Sequence, residues 1–111
     1  MKILGVGVDI IKNKRIRNLI GNKNFILRTF GKNEIKFSKR INNKTNYFAK
    51  RFAAKESLAK SLGTGFRNNL NFKDIEVLND RIGRPYYFKS KKINNIINKQ
   101  FNVKKYDLFL S

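Results

Sequence analysis

Between Thr45 and Leu62 the chain reads as one long helix, and the rest of the sequence has to pack around it. Thr45 is a credible N-cap, Phe48, Phe52, Ala59 and Leu62 mark an apolar stripe, and Ala49, Ala53 and Ala54 let a neighbouring element approach closely. Gly63 ends the run, as a residue in a left-handed cap does. Within it, in RFAAKESLAKSLGTG (51–65), one carboxylate, Glu56, stands among cations.

The flanking segments are shorter. Ile3 to Ile10 reads as a buried strand in which Gly5 and Gly7 admit a second backbone, with Asp9 at its end. A cationic helix carrying Lys12, Lys14, Arg15 and Arg17 follows to Ile20, stopped by Gly21 and Asn22. Phe25 to Phe30 suggests another helical turn, and Ile35, Phe37 and Ile41 a short helix. Phe72 to Leu78 and Tyr86 to Phe88 read as strands joined by NDRIGRP, which predicts a hairpin over 71–88. Ser90 can cap a last helix with Ile93, Ile96, Ile97 and Phe101 inward, and the alternation of Tyr106, Leu108 and Leu110 predicts a closing strand. The expectation is a single α+β domain, residues 1–111, mainly antiparallel sheet packed with helices.

Composition narrows the chemistry. Cysteine and histidine are both absent, so thiolate sites, disulfides and imidazole bases are excluded, leaving carboxylates, lysines, hydroxyls or a hard metal. No apolar run approaches the ~20 residues of a membrane span, and the N-terminus has no leader-like pattern; the expectation is a soluble, cytoplasmic protein without a membrane partner. Lys plus Arg number 26 against 7 Asp plus Glu, a net charge of +19 that suggests a polyanionic partner. Lys, Asn and Ile are over-represented together, as an AT-rich coding sequence produces, so part of that charge is equally well read as solvated surface.

Where acids are scarce, each one is informative. Packing the end of the first strand against the long helix would bring Asp9 to Glu56, and two such carboxylates repel unless a cation lies between them; Mg²⁺ fits that role. The plainer readings are a Glu56–Lys60 pair four residues apart, worth ~0.3–0.5 kcal/mol, and Asp9 as a helix cap. Gly63, Thr64 and Gly65 can offer N–H groups and a hydroxyl to a phosphate, or simply close the helix. Gly83 to Pro85 reads as a turn, and the Lys12–Arg17 helix as a solvated face or a docking surface for an acidic partner.

Taken together, GVGVDI (5–10), RFAAKESLAKSLGTG (51–65), FKDIEVLND (72–80) and GRP (83–85) resemble, in order and spacing, the holo-[acyl-carrier-protein] synthases, the small bacterial-type 4′-phosphopantetheinyl transferases. The resemblance implies transfer of 4′-phosphopantetheine from coenzyme A to a serine of apo-acyl carrier protein, with Mg²⁺ present and adenosine 3′,5′-bisphosphate released, in support of fatty acid biosynthesis. It implies Asp9 and Glu56 as metal ligands, Lys60 at the phosphates and as one candidate, with Glu56 or a metal-bound water, for taking the serine proton, and Lys55 as a nearby cation of the cofactor site. Gly63, Thr64, Gly65 and Pro85 would line the coenzyme A pocket, Arg15 and Arg17 would meet the acidic carrier protein, and the assembly would be a homotrimer.

Family members usually run on beyond the position of Ser111 through a Ser-x-Ser-His segment and another strand, so the expectation is either a copy shortened at its C-terminus or an incomplete sequence, and weaker coenzyme A binding than in longer relatives. A micromolar or tighter affinity by calorimetry would contradict that. The competing readings are a small basic nucleic-acid binder of the ribosomal type and an inactive remnant of the transferase. A nucleic-acid binder should lose affinity steeply with salt and ignore Glu56, whereas the transferase should fail when Asp9 or Glu56 is neutralised.

Overall fold

The computed structural model describes residues 13–63 and 70–110. The strand expected at 3–10, with Asp9, and the expected phosphate-side residues Thr64 and Gly65 lie outside them. In order, the described elements are α1 (Asn13–Leu19), α2 (Lys23–Thr29), α3 (Lys32–Ser38), α4 (Lys44–Ser61), a 3₁₀ turn (Phe72–Asp74), β1 (Val77–Asn79), β2 (Pro85–Tyr87) and α5 (Lys91–Phe101). The α+β class is as expected, with an antiparallel hairpin that registers Val77 with Tyr87, Leu78 with Tyr86 and Asn79 with Pro85.

Local chemistry explains the boundaries. Asn22, expected only to stop α1, also starts α2 by accepting from the N–H groups of Asn24 and Phe25 at 2.9 and 3.2 Å. The long helix begins before Thr45, because the Asn43 side chain caps it from the Asn46 N–H at 3.0 Å. Phe72 to Asp74, expected as strand, forms a turn because the Asp74 carboxylate accepts from the Asn71 N–H at 2.8 Å. Ser90 caps α5 as expected, accepting from the Ile93 N–H at 3.2 Å.

Residues 106–110 make no ladder among the described residues, contrary to the expected strand. Their alternation survives: Tyr106, Leu108 and Leu110 are partly buried and Asp107 and Phe109 exposed. Side chains hold the segment: Lys89 Nζ donates to the Tyr106 carbonyl at 2.6 Å and the Tyr106 hydroxyl donates to Asn94.

The core falls into two clusters with α4 in both. The first half of α4 gives Tyr47, Phe48 and Phe52 to an aromatic cluster with Ile16, Phe25 and Phe30. Ring centroids there stand 4.6 Å apart for Phe30–Phe48 and 6.0 Å for Phe25–Phe52, within the range of favourable aromatic pairs. The second half gives Ala54, Leu58, Ala59 and Leu62 to an aliphatic cluster closed by Ile75, Val77, Ile93 and Ile97. The single stripe expected of this helix is therefore too narrow, because its alanines allow packing on further faces.

Ile93 is fully buried, so Ile93→Ala should lower stability by ~2–5 kcal/mol in urea unfolding. Ser90→Ala, which removes only the cap of the same helix, should cost ~0.5–2 kcal/mol.

Candidate functional site

The α4 segment from Arg51 to Lys60 carries three of the described site residues, Lys55, Glu56 and Lys60. Glu56 is half-buried and Lys60, one turn later, is exposed. At 100° per residue the two share a helix face, turned well away from Lys55. Such a face offers one carboxylate ligand and one ammonium donor, and both residues already take part in side-chain interactions. The two expected ligands are both carboxylates, a donor type that suits a hard divalent cation; Glu56 is partly exposed, as that use requires, and Asp9 lies outside the described residues. Among the described residues no group of three or more His, Cys, Asp or Glu could hold a metal.

Lys55 departs from the expectation of a cation at the cofactor. Its side chain is fully buried, and Nζ donates to Glu34 Oε1 at 2.6 Å, to the Phe72 carbonyl at 3.1 Å and to the Ile75 carbonyl. Three acceptors use all three ammonium protons, so this lysine is committed to the interior. The alanines around it let the chains bearing those acceptors come within reach of the helix.

Glu34 was not legible as a special residue, and it is the partner that matters most. It is fully buried in the first turn of α3. Oε1 also accepts from the Gly31 N–H at 2.9 Å, and Oε2 accepts from the Val77 N–H at 3.1 Å, so one carboxylate joins α3, α4 and β1. The Glu34 carbonyl accepts from the Tyr47 hydroxyl at 2.7 Å. Burial pushes the Glu34 carboxyl above its ordinary range and the Lys55 ammonium below its own, and each is drawn partly back by the other's charge. Glu76 lies beside them and takes the space a side chain at Gly31 would need: a Cβ there would stand 2.4 Å from the Glu76 carboxylate. The scarcity of acids was the available signal for Glu34, but only contact reveals which acid goes inside.

The hairpin is fastened to the same stretch of helix. Arg51, buried and stacked 4.1 Å over the Tyr47 ring, donates to Asn79, which pairs with Pro85 across the hairpin. The Tyr87 hydroxyl donates to the Ala54 carbonyl at 2.7 Å, and burial pushes its pKa up to about 12, so it remains a donor at neutral pH. Pro85 is exposed at the start of β2. Arg51 escaped the sequence reading because a lone arginine on a cationic chain looks like surface.

Gly63 has a φ of +78°, the left-handed conformation expected of it, and the Gln100 side chain on α5 donates to the Leu62 carbonyl beside it. The end of α4, just before Thr64, is thus held by α5. Arg15 and Arg17 are both exposed on α1, available to an acidic surface.

The NDRIGRP turn is organised by Asp80, whose Oδ1 accepts from the N–H groups of Arg84 at 2.8 Å and Ile82 at 3.0 Å. These bonds, the Arg84 N–H first, hold its carboxyl below the ordinary value of 3.8. A depressed pKa stabilises the fold above the ordinary value, and that contribution fades as pH falls through the folded one. The stability difference between the wild type and Asp80→Asn, followed by thermal unfolding against pH, should therefore be largest near neutrality and shrink below about pH 4.

Comparison with known proteins identifies the family of the chain. The family described as the 4′-phosphopantetheinyl transferase superfamily matches residues 5–108. A holo-[acyl-carrier-protein] synthase of Pelagibacter ubique (strain HTCC1062) is 51% identical over 111 residues, 100% of this chain and 87% of the relative. The crystal structure of holo-[acyl-carrier-protein] synthase from Neisseria meningitidis aligns with a TM-score of 0.81 at 34% identity, covering 90% of this chain and 82% of that one. The Helicobacter pylori synthase, solved in complex with coenzyme A, aligns with a TM-score of 0.73 at 28% identity, covering 84% and 80%.

Proposed function

The chain belongs to the 4′-phosphopantetheinyl transferase superfamily and groups with its holo-[acyl-carrier-protein] synthases, and from that premise we propose that it moves 4′-phosphopantetheine from coenzyme A to a serine of apo-acyl carrier protein. The serine oxygen attacks the phosphorus that bears pantetheine, the pyrophosphate P–O bond breaks, and adenosine 3′,5′-bisphosphate leaves with that oxygen. The observation that carries the reading is the α4 face on which Glu56 and Lys60 stand together outside the core while Lys55, their neighbour in sequence, is sealed within it.

Glu56 and Asp9 are the residues that would hold Mg²⁺, which when bound neutralises charge growing on the leaving group. Lys60 reaches the phosphate oxygens, and it or Glu56 is the group placed to take the serine proton. Gly63, Thr64 and Gly65 present backbone to the nucleotide phosphates, and Pro85 borders the nucleotide. Arg15 and Arg17 receive the acidic helix of the carrier protein through forked hydrogen bonds. Exposed Ile82, Tyr86 and Phe88 on the hairpin support self-association, which we assign to a homotrimer working in the cytoplasm on fatty acid synthesis.

Incubation of the chain with apo-acyl carrier protein, coenzyme A and Mg²⁺ should add one phosphopantetheine to the carrier by intact-mass spectrometry. Glu56→Gln should abolish the gain, and Lys60→Met should slow it by roughly a hundredfold or more if the ammonium takes the proton. No gain from folded protein would overturn the proposal and bring nucleic-acid binding forward.

A further inference from the structure

The alanines of α4 set how near its neighbours come, but a methyl group says little about rotation around the helix axis. Polar contacts add direction to that packing, and several of them lie in the turn just before Glu56. Arg51 reaches Asn79 on β1, the Ala54 carbonyl receives the Tyr87 hydroxyl of β2, and Lys55 donates to Glu34, Phe72 and Ile75. Lys55 stands immediately before Glu56, and Ser57, hydrogen-bonded with Tyr87, immediately after it, and a neighbouring residue is turned by a fixed 100° about the axis.

Lys55 is in turn only as fixed as its acceptors. Two of them are backbone carbonyls on the segment after the long helix, and the third is Glu34, which is itself locked by the Gly31 and Val77 N–H groups at 2.9 and 3.1 Å. A carboxylate held on both oxygens by two other elements is a rigid stop for the ammonium. It cannot swing to follow a rotating helix without breaking the cap of α3 or the start of β1.

We propose that Glu34 is a positioning residue for Glu56: by fixing Lys55 it sets the rotation of α4, and with it the direction in which the Glu56 carboxylate is presented to a divalent cation. The inference rests on the reading of Glu56 as a metal ligand. Glu34 has no contact with substrate in this scheme and acts through the helix backbone. Its loss should therefore appear first in how tightly the metal is held.

Glu34→Asp separates position from charge, since it keeps a carboxylate for Lys55 but withdraws it by one methylene. Folding is checked by circular dichroism, and Mn²⁺ binding in the presence of coenzyme A is read from the free Mn²⁺ signal in electron paramagnetic resonance. The half-saturating Mn²⁺ concentration for phosphopantetheine transfer is measured in parallel. The Mn²⁺ dissociation constant and the half-saturating concentration should both rise by about tenfold or more in the folded variant, as changes just outside a metal's ligands typically produce. Should Glu34→Asp not fold, the double variant Glu34→Met with Lys55→Met, which leaves no lone buried charge, carries the same expectation.

A folded variant with wild-type Mn²⁺ binding and wild-type half-saturation overturns the proposal. So does a fall in maximal rate that merely follows the folded fraction, because that is what a residue important only for stability would give. Failure of the underlying reading looks different: wild-type protein would then show no Mn²⁺ binding that Glu56→Gln removes, and the proposal would fall with it.

Discussion

A glutamate and a lysine with no exposure to water sit at the crossing of three elements, and the arrangement of the described residues depends on them. Taking two charges out of water costs several kcal/mol each, which their attraction offsets only if the remaining lone pairs and protons are also satisfied. Here they are: Glu34 has two backbone donors besides Lys55, and Lys55 has two backbone acceptors besides Glu34. An apolar pair of the same volume would pack without that requirement, but would not state which way each element must face. The ion pair thus contributes direction more than net stability, and α4 is the element that receives it.

The rest of the polar interior follows the same plan. Arg51 and Tyr87 tie the hairpin to α4 through Asn79 and the Ala54 carbonyl, while Gln100 ties α5 to its end at Leu62. The interior polar contacts fall on the faces of α4 that pack, and Glu56 and Lys60 are left on a face that reaches solvent. On a chain of net charge +19 this sorting is informative: most cations need only water, whereas Lys55 and Arg51 were given specific acceptors.

What could be read from sequence was what short-range chemistry determines. The order of helices, the hairpin, the Ser90 cap and the left-handed Gly63 follow from periodicity and from residues acting on their own neighbours. The start of α4 was misplaced and the 3₁₀ turn at Phe72–Asp74 was read as strand, because Asn43 and Asp74 competed with equally plausible residues for the same backbone groups. Lys55 was misread for a deeper reason. In RFAAKES a cation beside an acid on a cationic chain looks outward, and only the contact with Glu34, far away in sequence, shows that it faces in. Glu56 and Lys60 could be singled out from a motif, but the part of the site that includes Asp9, Thr64 and Gly65 lies outside the described residues.

The place of α4 in both hydrophobic clusters bears on how the molecule comes apart. An aromatic cluster and an aliphatic one could have been two independently melting units. Since Tyr47, Phe48 and Phe52 wall the first and Leu58, Ala59 and Leu62 the second, exposing either cluster strains the same eighteen-residue helix. Partial openings are therefore confined to pieces that touch one cluster alone, such as α1 and the segment after Asn102. Amide hydrogens in the middle of α4 exchange only when the whole cooperative unit does, so the backbone that carries Glu56 is among the last to yield.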